Sequence, residues 1–209
     1  MPDPYVLDDA AGTRLQLQDY KEDFKVSQWD VKGQASWKLE RGQHFREPGF
    51  PSWEAFARGD WDKSLQLMDE EREFLAEFTG KAKDKGIDLY RVRVVQQPID
   101  PYLQWELHLL RLRAECGELI RVASMEHVTE YESQGPLPEL VTFGSEILYR
   151  VVYNDRGELA GAVKFSSPET IAQAASLTRE LYEHGEDLES FFHREVAPLP
   201  PPHGESAGG

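Results

Sequence analysis

The segment from Asp88 to Ala123 constrains the fold more than any other, because it spells out a strand, a capped helix, a stop and a second strand. Tyr90, Val92 and Val94 alternate with Arg91, Arg93 and Val95, which predicts a strand with one apolar side. Asp100-Pro101 is a helix N-cap followed by proline at the first helical position, where its missing N–H costs nothing. From Tyr102 to Cys116, Tyr102, Trp105, Leu109 and Leu112 form one apolar stripe, and Leu103, Leu107 and Leu110 form a second. Two adjacent stripes bury a helix over most of its circumference, so it packs between a sheet and another element. Gly117 stops the helix, and Leu119-Ile120-Arg121-Val122 predicts a short buried strand. The fold class expected is α/β, a mixed sheet with flanking helices and an N-terminal strand–helix extension.

The other elements follow from the same rules. Residues 1–20 carry Asp3, Asp8, Asp9 and Asp19 with few large apolar groups, and read as a flexible acidic arm. Phe24-Val26, Trp29-Val31 and Trp37-Leu39 alternate, predicting one or two strands around a Lys32-Gly33-Gln34 turn. Ser52 is the expected N-cap of a short helix to Arg58, and Asp60 opens a longer one to about Lys85 with Trp61, Leu65, Met68, Leu75, Phe78 and Ala82 at helical spacing. Gly86 is its stop. Residues 126–139 read as a polar loop, with Leu140 to Phe143 as a short strand. Two strands, Glu146 to Tyr153 and Glu158 to Phe165, are joined by Asn154-Asp155-Arg156-Gly157, a strong hairpin signal. Ser167-Pro168 opens a helix bearing Ile171, Ala174, Leu177 and Leu181. One α/β domain over 21–197 is expected, followed by a disordered Pro/Gly tail over 198–209.

Charge narrows the function. A net charge of −15 repels phosphate backbones and anionic membranes, so neither direct nucleic-acid binding nor membrane adsorption is expected. Acidity suits a protein that meets a basic partner. Met1-Pro2-Asp3-Pro4 lacks the basic and apolar regions of a signal peptide, which points to the cytoplasm.

Reaction chemistry is poorly represented. There is no P-loop, no Gly-x-Ser-x-Gly elbow and no His-Glu-x-x-His among the six histidines, so no catalytic residue, metal or cofactor is expected. Cys116, the single cysteine, has acidic neighbours that do not activate a thiol. Glu106 stands out, because a carboxylate inside an apolar helix must be paired or solvated. Arg91, Arg93 and Arg121 on the flanking strands are its natural partners. Two arrangements satisfy it. One is an internal salt-bridge network. The other is a small-ligand pocket of Arg91, Arg93, Glu106 and Arg121 with Tyr102 and Trp105 as apolar walls.

Trp37-x-Leu39-Glu40, Arg91-Val92-Arg93-Val94-Val95, Tyr102-x-x-Trp105-Glu106, Gly117-Glu118-x-Ile120-Arg121 and the hairpin-plus-helix from Ile147 to Leu181 resemble an uncharacterised actinobacterial family. Its members are domain-of-unknown-function proteins of Streptomyces and relatives, often encoded beside Xre-type helix-turn-helix regulators. The chain departs from it at Gly144-Ser145, where relatives tend to carry an acidic pair. The element order also distantly resembles phospholipase-D-like half-domains. That likeness implies no phosphodiesterase chemistry, because no His-x-Lys motif accompanies it. The resemblance and the charge together imply a non-enzymatic cytoplasmic regulatory protein partnered with a DNA-binding regulator through its acidic surfaces. The alternative is a ligand sensor or enzyme working in the Arg/Glu region. Strand order and oligomeric state do not follow from the pattern.

Overall fold

The computed structural model describes residues 5–31 and 33–202. A 3-10 turn at Asp9–Ala11 leads into β1 (Thr13–Gln16) and α1 (Leu17–Ser27). Then come β2 (Ala35–Glu40), α2 (Pro51–Ala57), α3 (Trp61–Asp69), α4 (Arg72–Asp84) and β3 (Asp88–Val95). α5 (Pro101–Glu115), β4 (Leu119–Ser124), α6 (Met125–Thr129) and β5 (Leu140–Phe143) follow. The chain closes with β6 (Ile147–Tyr153), β7 (Leu159–Phe165), α7 (Pro168–His184), β8 (Glu186–Asp187), α8 (Leu188–Phe191) and a π-helical turn at Phe192–Val196. All eight strands form one mixed sheet in the order β1-β7-β6-β5-β2-β3-β4-β8. β2, β3 and β4 are mutually parallel, and the remaining pairings are antiparallel. The expected α/β class with flanking helices is what the chain adopts. No helix of the described residues is long and apolar enough to cross a membrane.

The Asp88-to-Ala123 segment forms as its punctuation dictates. Asp100 accepts from Leu103 N at 3.0 Å, Pro101 sits in the first turn, and Gly117 takes φ 112°. Both crossovers, β2 to β3 through α2–α4 and β3 to β4 through α5, place helices against one face of the sheet, with Leu103, Leu107 and Leu110 on Val95, Ile120 and Val122. α7 covers the other face, seating Ile171, Ala174, Leu177 and Leu181 on Leu39, Val92, Val94 and Ala123. Burying one such aliphatic side chain stabilises by about 1.5–3 kcal/mol.

Several expectations are corrected. Phe24 and Val26 lie on α1, not on a strand, because Tyr20, Phe24 and Ser27 recur at helical spacing toward the sheet while Val26 is 62% exposed. Trp29 lies in the turn after α1, and Lys32 of the expected turn is outside the described residues. Of the stretch read as a flexible arm, residues 1–4 lie outside the described residues, and the rest is tied down: β1 pairs with β7, and Asp9 bonds Arg150. Ser52 is not a cap. Pro51 starts α2, Phe50 is the N-cap, and Ser52 is buried. The helix expected from Asp60 to Lys85 is two, broken at Glu70-Glu71. The break puts Glu71 and Glu73 at the start of α4, where the helix dipole favours negative charge. Residues 126–129 of the expected polar loop belong to α6. At the C-terminus Gln104 donates to the Pro200 carbonyl at 2.9 Å, and residues 203–209 of the expected tail lie outside the described residues.

Candidate functional site

Strand register decides which charges meet. Lys38 lies opposite Arg91 and Glu40 opposite Arg93 across the parallel β2–β3 pair. Side chains two residues apart share a face, so all four project toward α1, α4 and α5. Arg121 is the register partner of Val92 and therefore points to the opposite face. There its Nη1 donates toward the carbonyls of Tyr182 (3.2 Å), Glu183 (3.2 Å) and Gly185 (3.4 Å), with the guanidinium over the Tyr182 ring. It closes the C-terminus of α7 and takes no part in the seam.

The seam is a chain of ion pairs. Arg91 donates to Glu40 and to Glu118, both at 2.7 Å. Lys38 holds the second oxygen of Glu40 at 2.6 Å, and Arg113 holds the second oxygen of Glu118 at 3.2 Å. Separately, Arg93 Nε donates to Glu106 at 2.7 Å, and its Nη1 donates to the carbonyls of Glu40 and Val94. Its Nη2 is buried without a hydrogen-bond partner. Burial pushes the Glu40 and Glu118 carboxyls up, but the adjacent guanidinium of Arg91 overcomes it and holds both below the usual range. For Glu106 burial wins over Arg93, and its carboxyl is raised. Of the partners expected for Glu106, Arg93 is its ion pair, while Arg91 is engaged by Glu40 and Glu118 instead.

Tyr102 and Trp105 stand behind this seam as core. Trp105 Nε1 donates to Ser52 Oγ at 3.0 Å, and Ser52 and Ser64 hydrogen-bond each other's backbone carbonyls, which explains a buried serine pair between α2 and α3. Tyr102 packs edge-on to Phe45.

Two cavities adjoin the seam. The inner one, about 220 Å³, brings Glu40, Glu47, Glu106 and Glu139 together with Lys38 and Tyr153. Burial raises Glu47 and Glu139 to about 7; Lys38 opposes the rise at Glu47, and Arg93 and the Gly42 N–H oppose it at Glu139. The outer one is a groove of about 590 Å³ between α1 and α4. Its walls are Phe24, Trp29, Phe78, Leu89, Val141 and Phe143, and Lys38, Arg91, Arg113 and Glu118 lie along its floor. Phe24 packs on Phe143 at 4.9 Å and Trp29 on Phe78 at 5.0 Å, edge to face. Lys38, Phe24 and Val141 line both cavities. Among the described residues no three His, Cys, Asp or Glu side chains converge to hold a metal ion.

Of the residues expected to form a pocket, Arg91 alone reaches the groove and Glu106 alone reaches the inner cavity. Lys38, Glu40, Arg113, Glu118 and Glu139 were not among them. Lys38-x-Glu40 and Arg91-x-Arg93 each put two charges at the two-residue spacing of one strand face, but which charges meet depends on the β2–β3 register, which the pattern does not give.

A family model for a domain of unknown function, DUF6879, matches residues 22–193. The chain belongs to this family. The DUF6879 match takes in the whole seam and every residue lining the groove, and leaves β1 outside. No curated protein matches the chain.

Proposed function

We propose that this DUF6879 protein is a non-enzymatic binding module that holds a small molecule in the groove between α1 and α4. The observation that carries this reading is the groove itself, about 590 Å³ with aromatic walls over a charged floor. That volume and lining suit a drug-sized ligand. Among the described residues no histidine lines it, and its serine hydroxyl, Ser36, donates to the Thr142 carbonyl. A neutral solvatochromic dye, Nile red, tests the reading. Its emission should rise and shift blue with the wild-type chain, and Leu89→Trp, which fills the groove from β3, should abolish this. An unchanged signal in a folded Leu89→Trp variant would sink the idea.

A second reading places the protein in the actinobacterial cytoplasm as the partner of a helix-turn-helix regulator. Phe74 and Val26, 61% and 62% exposed on the two helices flanking the groove, favour a protein contact there. The acidic C-terminal segment supports it less, since Glu186 pairs with Arg194 and Glu189 with Arg111. Co-purification with the neighbouring regulator at low salt tests it, and no complex counts against it. A phospholipase-D-like ancestry adds nothing to either reading beyond the mixed sheet.

A further inference from the structure

We infer that the ligand of the groove is an amphipathic monocarboxylate, with its acid group on Lys38 and Arg113 and its apolar part among Phe24, Trp29, Phe78 and Phe143; this rests on the groove reading above. The charge of the floor carries the inference. In direct ion pairs Lys38, Arg91 and Arg113 meet two carboxylates, Glu40 and Glu118, so on the groove side cations outnumber carboxylates by one. Glu47, which Lys38 also faces, lines the inner cavity, where burial raises its carboxyl to about 7. The excess occurs in a chain whose net charge is −15. Lys25 and Lys81 add cations at the mouth, against Glu77, and are exposed to solvent.

Donor capacity points to the same two residues. Arg91 spends Nε and Nη1 on carboxylates and its side chain is 7% exposed, which closes it to a ligand. The Lys38 and Arg113 side chains are 35% and 29% exposed and each makes one ion pair, leaving further N–H donors on two residues that line the groove. A single excess charge fits a singly charged head group better than a phosphate. The aromatic walls exclude a ligand that is polar throughout, because burying unpaired polar groups is costly.

Isothermal titration of the full chain with decanoate, decanol, decylamine and decyl phosphate tests this, with Nile red run in parallel. Decanoate should bind about tenfold or more tighter than decanol, the scale of one charge-assisted hydrogen-bonded contact. Arg113→Gln and Lys38→Gln should each erase most of that preference, weakening decanoate far more than decanol. Arg113→Gln lies at the margin of the seam and guards against a folding defect in the other variant. If Nile red binds but decanoate is no better than decanol, or decyl phosphate is preferred, the carboxylate assignment is overturned and the groove reading stands. If Nile red fails as well, the groove reading falls with it.

Discussion

Arg93 is fully buried, meets one carboxylate, and keeps an unpartnered Nη2 beside Glu106. A buried pair of this kind contributes little net stability, but removing one partner strands the other charge in the core. Arg93→Met is therefore expected to lose about 3–5 kcal/mol, and adding Glu106→Leu should restore most of it. Urea denaturation midpoints measure both. Glu47 and Glu139 act through protons instead. Their folded pKa values near 7 lie above the ordinary 4.5, so the fold holds protons that the unfolded chain has released. That stabilisation is fully present below the ordinary value and is lost as pH rises through 7, on the order of 3 kcal/mol per group. Glu40 and Glu118, held low, act oppositely and lose their contribution as pH falls. The melting temperature should fall from about pH 5 to pH 8, and Glu47→Gln with Glu139→Gln should flatten that slope. A flat wild-type profile would contradict the assignment. Glu106 could be found in the sequence because an ionisable group interrupts an apolar helix. Glu40 could not, since the apolar Trp37 and Leu39 beside it dominate the strand and its partners depend on register.

Helix ends show which elements local residues specify. α5 was legible at both termini, through Asp100-Pro101 and Gly117. α1 was not, because Phe24-Val26 and Trp29-Val31 each show a two-residue alternation, and packing of Phe24 against Phe143 and Tyr149 goes with the helix instead. The split between α3 and α4 was equally hidden, since the apolar spacing continues across Glu70-Glu71. α7 ends through a long-range contact. Gly185 supplies no left-handed turn, its φ being −70°, and Arg121 from β4 meets the last carbonyls instead. Such a cation at a helix C-terminus stabilises by up to about 2 kcal/mol when partly buried. Arg121→Ala should lower stability by about 1–2 kcal/mol and speed hydrogen exchange in the final turn of α7. It should leave Nile red binding intact, because Arg121 lies across the sheet from the groove. Loss of dye binding in this variant would return Arg121 to the site.

Across the whole molecule the sheet separates two interiors. The face under α7 is apolar, with aliphatic side chains joined by Phe165 and by a Trp37–Tyr90–Tyr182 cluster, while the face under α1, α4 and α5 holds a row of charges walled by aromatic rings. The family match spans this charged face from Lys38 to Glu118, so it belongs to the shared part of the chain and not to a terminal addition. Lys38 stands in the partition between the two cavities and touches both. An anion that settles on Lys38 from the groove side weakens the field it exerts on Glu47 behind it. With Glu47 poised near 7, each binding event then draws in a fraction of a proton from neutral solution. Titrations in buffers of different ionisation enthalpy should give different apparent heats for the same affinity, and binding should tighten as the medium acidifies toward pH 6. A binding heat independent of the buffer would show that the two compartments do not communicate. Occupancy of the groove would otherwise report the acidity of the surrounding solution along with the concentration of the ligand.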